Sequence, residues 1–456
     1  MRETALRVCQ FLLVLLPMSR DSAAQRVTYP PEEFRARRDG LARLVGQGHV
    51  LLFGATAAQP GVRFRQDNDF FYLTGSEDLN AVLVMDAAKG ESFLFLPVQN
   101  ESQVRVDGPN WLHEAGAAKA RGFVALHPLP YLEEFLARRR KSGPQAVWVR
   151  MSERDEVDAS RGDTALHLAR RQSSSFGGQP SEDAHRVAVL RTRYPHYELQ
   201  DLAPHLDRLR VIKSPREIDV LRRNGRVSAD GIRRAIEITR PGRYEYELEA
   251  EAAYGFLKHG AEGQAYLAIV ASGPNVNVWH YARNDRRLQD GDLVVMDYGA
   301  TMGYETIDIT RTWPVSRKFS DVQLRAYRCV LEAQKAIIAA MRPGATRAQT
   351  REICKAIYEK WGFGEQPPSG AGHFVGLAVH DVGDPEVPFA PGMVIAVEPI
   401  IEIKDKQLHV RIEDTVLVTD GEPEVLSAAA PKEVDEVLSL VGLAGRAGGL
   451  HRNRRR

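Results

Sequence analysis

Two acids sit where acids are out of place. In VVMDYGATMGYETIDITRTWP, residues 294–314, Asp297 and Asp308 fall in short β-patterned runs on either side of a turn. Strand interiors disfavour Asp, and like charges facing each other across a ladder destabilise it. A turn centred between Met302 and Gly303 would set the two carboxylates directly opposite. Glu398 and Glu413 repeat the arrangement around the polar run KDKQ, with the turn centre between Asp405 and Lys406. The intervening stretch GAGHFVGLAVHD adds His373 and His380 beside glycines whose backbone can approach a site closely. Strict alternation separates the two imidazoles, and a bulge at Gly376 would bring them together. The spacing leaves open which of the two is a ligand.

Four carboxylates converging on one cleft must take up protons or bind cations. Two divalent ions offset four negative charges. Oxygen-rich ligation with one neutral nitrogen suits hard or borderline ions such as Mn²⁺. Two such ions ~3.5–4 Å apart can acidify a shared water and clamp a developing oxyanion. A lone acid in a strand is usually an edge or solvent-facing residue. Here the flanking runs LVVM, MVIAV and VRIEDTVLV read as buried, which argues against surface acids.

The elements that must carry these residues repeat. RPG occurs at 240–242 and at 342–344, each time between two helical runs. DGDLVVMD (290–297) and PGMVIAVE (391–398) each place a turn glycine before a buried strand that ends in an acid. The period, near 101 residues, is far longer than a solenoid repeat and implies two related halves packed about a pseudo-two-fold axis. Ahead of them, a helical pattern (PPEEFRARRDGLARLV) and strand-like runs (GHVLLFGA, AVLVMD, ESFLFLP, QAVWVRM) imply a separate mixed α/β region. Ser214-Pro215 supplies the start signal for a long helix opening the second region.

The 456 residues suffice for two or three cores, and 43% hydrophobic with 27% charged is ordinary globular composition. A formal net charge of +1 gives no reason to expect a nucleic-acid partner. Residues 1–25 have Arg2 and Arg7, an apolar stretch from Val8 to Leu16, and small residues at Ser22–Ala24, the three parts of a secretory leader. No later stretch approaches a membrane span, and the expectation is an exported protein, periplasmic or secreted. Cys9 would leave with the leader. Cys329 and Cys354 read as buried small apolar residues, with a single bridge between them left open. The tail, 444–456, carries arginines and little to bury, and reads as disordered.

The motifs VMDYG…IDITRTWPV, GHFVGLAVHDVG, PGMVIAVEP and VRIEDTVLVT resemble, in order, the metal-binding motifs of the pita-bread metallopeptidases, the aminopeptidase P and prolidase group. RQDNDFFYLTGSEDLNAVLVM (65–85) is similar to the creatinase-type N-terminal domain of aminopeptidase P, and YLAIVASGPNVNVWHYARND to the segment carrying its substrate-side His. Behind the leader (1–25), the resemblance implies a smaller α/β N-terminal domain (27–205) and a duplicated α/β pita-bread catalytic domain (214–440). It implies that Asp297, Asp308, His373, Glu398 and Glu413 hold two divalent ions, with Mn²⁺ expected and Asp308 and Glu413 bridging. It further implies that a hydroxide shared by the ions attacks the carbonyl before proline, with Glu398 moving the proton. His280 and His380 would contact substrate, and Arg411 would hold the ligand carboxylates in place. The implied activity is release of the N-terminal residue from peptides with proline second, by a homo-oligomer, dimer or tetramer. Prolidase action on Xaa-Pro dipeptides is the alternative; a non-catalytic peptide- or protein-binding pita-bread module is the alternative of another class. The chain departs from the family pattern at Ser369, where many aminopeptidases P have His, and at EPIIEI, where Gly and Tyr commonly stand at the positions of Ile400 and Glu402. These departures touch substrate contacts and leave the five ligands intact.

Overall fold

The computed structural model describes residues 27–57, 63–139, 145–174 and 176–444. The leader and the tail from 445 lie outside these. No helix among the described residues is long and apolar enough to cross a membrane.

The N-terminal region builds a six-stranded mixed sheet in the order 125–128, 91–96, 82–86, 49–53, 145–149, 197–201. Its four central strands are the Val-, Leu- and Phe-rich runs of the sequence, at His49–Phe53, Val82–Asp86, Glu91–Leu96 and Gln145–Val149. Both faces are covered, which is why Leu51, Leu83, Val84, Leu94 and Phe95 are buried with little alternation. Helix Pro31–Val45 starts on Pro with Glu32 and Glu33 in its first turn, where the helix dipole favours negative charge.

Helix Pro215–Ile238 opens the second region with a capping box between Ser214 and Glu217. The repeat is physical. Helix Glu245–Lys258 of the first half corresponds to Arg347–Lys360 of the second, and strand Leu293–Asp297 to Val394–Val397. The four repeat glycines share one left-handed conformation: φ is 92° at Gly242, 86° at Gly344, 85° at Gly291 and 90° at Gly392. Even a turn hydrogen bond is duplicated, Gly242 N to Leu288 O at 2.9 Å and Gly344 N to Phe389 O at 2.8 Å. The fold is the duplicated α/β pita-bread domain behind a smaller α/β domain.

The halves meet along two strands that pass each other edge to edge. Asp308 N donates to Thr415 Oγ1 (3.0 Å), Glu413 N to Thr310 O (3.0 Å) and Arg411 N to Thr312 Oγ1 (3.1 Å). Threonine at alternate positions thus stitches the first acid strand to the second.

Two expectations need correction. Asp297 does not face Asp308: its register partner is Thr310, and the hairpin turns at Gly303 and Tyr304, one residue later than expected. Tyr304 adopts φ 69°, costly for a bulky residue, because its ring stacks on Phe71 (3.5 Å, 5°) and its hydroxyl reaches Glu77. The register slips by two, so Asp308 stays on the same face, diagonal to Asp297. Nor do His373 and His380 share a bulged strand. Residues 371–383 fold back on themselves, with Phe374 bridged to Asp381. The Glu398–Glu413 register is as expected, since Val397 pairs with Asp414 and Ile400 with Arg411. Cys329 and Cys354 are free and buried.

Gly225 tests the packing of the long helix. Replacing a helix-interior Gly by Ala would add about 1 kcal/mol from propensity alone. A Cβ here, however, would sit 2.1 Å from Leu426 O, a backbone atom that cannot swing away. The clash should win, and Gly225→Ala is expected to lose about 2 kcal/mol in chemical denaturation. A gain in stability would show that the helix does not pack against residue 426 in this way.

Candidate metal centre

Each candidate acid lies at or just beyond a strand end, where the chain leaves the ladder and frees a side chain to turn inward. Asp297 closes Leu293–Asp297, Asp308 precedes Thr310–Pro314, and Glu398 follows Val394–Val397. Glu413 lies between Leu408–Arg411 and Asp414–Leu417. The structure brings these acids and both loop histidines together in three overlapping groups: Asp297, Asp308 and Glu413; His373, Glu398 and Glu413; and Asp308, His373 and His380. Within each, one ligand atom per residue lies within 4.8 Å of the others. His373 Nε2 is 3.5 Å from Asp308 Oδ2 and 3.7 Å from Glu398 Oε1. The His373 and His380 rings meet edge to face at 4.1 Å. His280 joins none of these groups; it is exposed on the loop beyond the turn Gly273–Asn277.

Within this cluster the buried carboxylates perturb one another strongly. Burial, then the neighbouring Asp297, pushes the Asp308 carboxyl well above its usual range. Burial, then Asp308 and Glu398, does the same to Glu413. Glu398 is also raised, by burial against the opposing pull of Arg411. His373 is pushed down to about 3 by burial and by His380, which leaves it a neutral imidazole. Arg411 moves the other way: burial alone would lower it, but Asp297, Glu413, Glu398 and Asp308 together raise it. Its Nη2 donates to Asp297 Oδ2 at 2.7 Å and fixes that carboxylate.

These residues fit a pair of divalent cations. Glu413 Oε1 is buried without a hydrogen-bond partner, while its Oε2 accepts from Thr310 Oγ1 at 2.7 Å. His373 Nδ1 is 3.1 Å from its neighbour Phe374 O, so an Nδ1–H tautomer leaves the Nε2 lone pair aimed at the carboxylates. Four acids and one neutral imidazole form a hard, oxygen-rich donor set.

Sequence reasoning missed Tyr266. Its hydroxyl lies 2.7 Å from Asp297 Oδ1 and 2.6 Å from Asp308 Oδ1. With a single proton it can donate to only one of them at a time. Its own ionisation is suppressed by burial and by both aspartates. It heads the segment YLAIVASGPNVNVWHYARND, but no spacing ties it to the acids, because it arrives from the chain before Ile269–Ser272. Asp414 was missed too. Its buried carboxylate takes Arg311, Gln334, Ser427 and Lys432, and so locks the backbone next to Glu413.

The N-terminal domain supports the His373–His380 loop directly. Val379 N donates to Val157 O at 2.8 Å, and Arg65 Nη2 to Leu377 O at 2.7 Å. Asp381, fully buried, pairs with Lys213 at 2.8 Å and with Arg210, which also holds Asp69 and Asp155. His380 Nδ1 is 3.6 Å from Asp163 Oδ2, too long for a hydrogen bond.

Known proteins share this two-domain organisation. Residues 219–420 match Metallopeptidase family M24, and residues 34–148 match Aminopeptidase P, N-terminal domain. The Xaa-Pro aminopeptidase of Haemophilus influenzae is 32% identical over 451 residues, covering 90% of this chain and 97% of that one. The chain belongs to metallopeptidase family M24. An Xaa-Pro dipeptidase of Pyrococcus horikoshii is 38% identical over 322 residues, 68% of this chain and 88% of that one. Among solved structures, aminopeptidase P from E. coli with the inhibitor Pro-Leu superposes with a TM-score of 0.77 at 28% identity, over 92% of this chain and all of that one. This M24 member is therefore a hydrolase, a metal-dependent aminopeptidase, and the binding-module alternative is set aside.

A pH dependence follows from the raised carboxyls. Without metal, the folded M24 domain binds more protons at Asp308, Glu398 and Glu413 than the unfolded chain does, from about pH 4 upward. Stability of the metal-free protein is therefore expected to fall as pH rises from about 4 to 8. Adding Mn²⁺ or Zn²⁺ at pH 7 should release protons, readable by calorimetry in buffers of different ionisation enthalpy. Proton-neutral binding together with a flat stability profile would contradict these electrostatics.

Proposed function

We propose that the protein is a dinuclear, proline-directed aminopeptidase that releases the first residue from Xaa-Pro-Xaa peptides. The observation that carries the reading is the overlap of the ligand groups. Glu413 belongs both to the group with Asp297 and Asp308 and to the group with His373 and Glu398, and Asp308 lies beside His373 as well. Acids shared between two neighbouring groups are what bridging requires. In this reading Asp297 would hold one ion, His373 and Glu398 would hold the other, and Asp308 and Glu413 would serve both. Manganese is the proposed metal, on the strength of the hard, carboxylate-rich donor set.

When bound, such a pair supplies an acidified water as nucleophile at neutral pH and a positive field for the oxygen that becomes negative. The chain's own residues do the rest. Glu398 accepts the proton of the attacking water and hands it to the leaving proline nitrogen. His380, at the edge of the ligand group, donates to the substrate carbonyl oxygen as charge develops there. His280 is exposed on its loop, which leaves it free to meet a peptide. Arg411 keeps Asp297 from rotating away.

Prolidase activity is the second reading, favoured by the similarity to an Xaa-Pro dipeptidase over two-thirds of the chain. A panel of Xaa-Pro-Ala tripeptides and Xaa-Pro dipeptides separates the two. The tripeptides are expected to be turned over faster, chelation to abolish activity and Mn²⁺ to restore it. Asp308→Ala is expected to lower kcat by at least about 10³-fold, a transition-state effect of roughly 4 kcal/mol. Near-normal activity of that variant would remove the bridging role, and faster dipeptide cleavage would transfer the protein to the prolidase reading.

We also propose export and assembly into a dimer or tetramer, which rest on the leader composition and on family analogy. Mass spectrometry of the protein recovered from its native compartment should find an N-terminus at or near Arg26. Retention of residues 1–25 would refute cleavage.

A further inference from the structure

The strands Ile400–Ile403 and Leu408–Arg411 pair with Ile400 opposite Arg411 and Glu402 opposite His409. Alternation puts Ile400, Glu402, His409 and Arg411 on one face, while Ile401 and Val410 enter the core on the other. Arg411 on that shared face donates to Asp297, so the face belongs to the metal cleft. Glu402 stands one pair farther out, about 7 Å along the strand, which is side-chain distance from a peptide held at the cluster.

Nothing near Glu402 neutralises it. Its Oε1 accepts from Asn277 Nδ2 at 3.1 Å and lies 3.9 Å from His409 Nδ1. His409 is only 1% exposed, and Nδ1 has no hydrogen-bond partner. Burial and the adjacent Arg411 push it down to about 3, so it brings no positive charge. Among the described residues, no Lys or Arg lies within 4 Å of the Glu402 carboxylate. The carboxylate is nevertheless held firmly: Asn277 also donates to Leu408 O, and Glu402 N donates to Gln366 Oε1 at 3.0 Å. Beside this group the indole of Trp279 sits edge-on to His409 at 6.1 Å and is half exposed, next to exposed Val278.

A fixed, unpaired carboxylate beside an open aromatic face and an aliphatic Ile400 complements a cation on an alkyl stem. We propose that Glu402, with Trp279 and Asn277, forms a subsite that selects peptides with lysine or arginine on either side of the proline, as the released first residue or as the residue after proline. The inference rests on the peptidase reading and names the substrate class of that same site. It also gives a physical meaning to one departure of this chain from its family's pattern, the acid at position 402.

The test compares kcat/KM for Lys-Pro-Ala, Ala-Pro-Lys, Leu-Pro-Ala, Ala-Pro-Leu and Glu-Pro-Ala in the metal-loaded protein and in Glu402→Gln. The glutamine keeps an acceptor for Asn277, so a role confined to clamping that turn is preserved while the charge is lost. At least one lysine peptide is expected to exceed its leucine counterpart by about fivefold or more, with the ratio falling to about one in Glu402→Gln and shrinking at high salt. Absence of a lysine preference, or its survival in Glu402→Gln, overturns the proposal. Should no peptide be turned over, the aminopeptidase reading fails by itself. Calorimetric binding of the same peptides to the metal-loaded protein then decides on Glu402 by the same lysine-to-leucine ratio.

Discussion

The structure is organised around the repulsion of buried carboxylates. Asp297, Asp308, Glu398 and Glu413 converge from two halves of one domain, and Asp308 and Glu413 are pushed far from the protonation behaviour they would have in water. A fold relaxes such a cluster by letting its members rotate into solvent or by giving each a cationic partner. Here Arg411 satisfies Asp297 alone, and Thr310 and Tyr266 contribute hydroxyls that hold position without supplying charge. The neighbouring acid Asp414 shows the contrast. Flanked by Arg311 and Lys432, it is held below its usual range despite equal burial. Residues adjacent in the chain are thus treated in opposite ways, one neutralised by protein and the other left for an external cation.

The duplication explains how so much negative charge comes to one place. Each half contributes a strand that ends in an acid, and the threonines at 310, 312 and 415 join those strands across the seam. The fifth candidate ligand, an imidazole, comes from a loop without regular structure, which the N-terminal domain and the linker before Pro215 hold in shape. Arg65, Val157, Arg210 and Lys213 all contact residues 377–381. The smaller domain therefore helps to hold the candidate site in shape.

Much of this was legible in the sequence. Both acid pairs, the repeat glycines and the start of the long helix could be read from residue type and spacing. The Glu398–Glu413 register followed correctly from its polar turn. The Asp297–Asp308 register did not, because the turn is set by Tyr304 in a left-handed conformation that only its stacking on Phe71 makes tolerable. That contact crosses from one domain to the other, and no local pattern encodes it. The error was harmless to the site, since a two-residue slip preserves the face. The fold of the His373–His380 loop, the hydroxyl of Tyr266 and the exposure of His280 are likewise tertiary facts.

The most direct measurement of the central claim is metal content of the folded protein, purified at neutral pH without chelators and then dialysed against Mn²⁺. Elemental analysis should find two divalent ions per chain, and Glu413→Gln should retain one or fewer. A folded wild-type protein that holds no ion, or holds two that survive loss of Glu413 unchanged, would contradict the account.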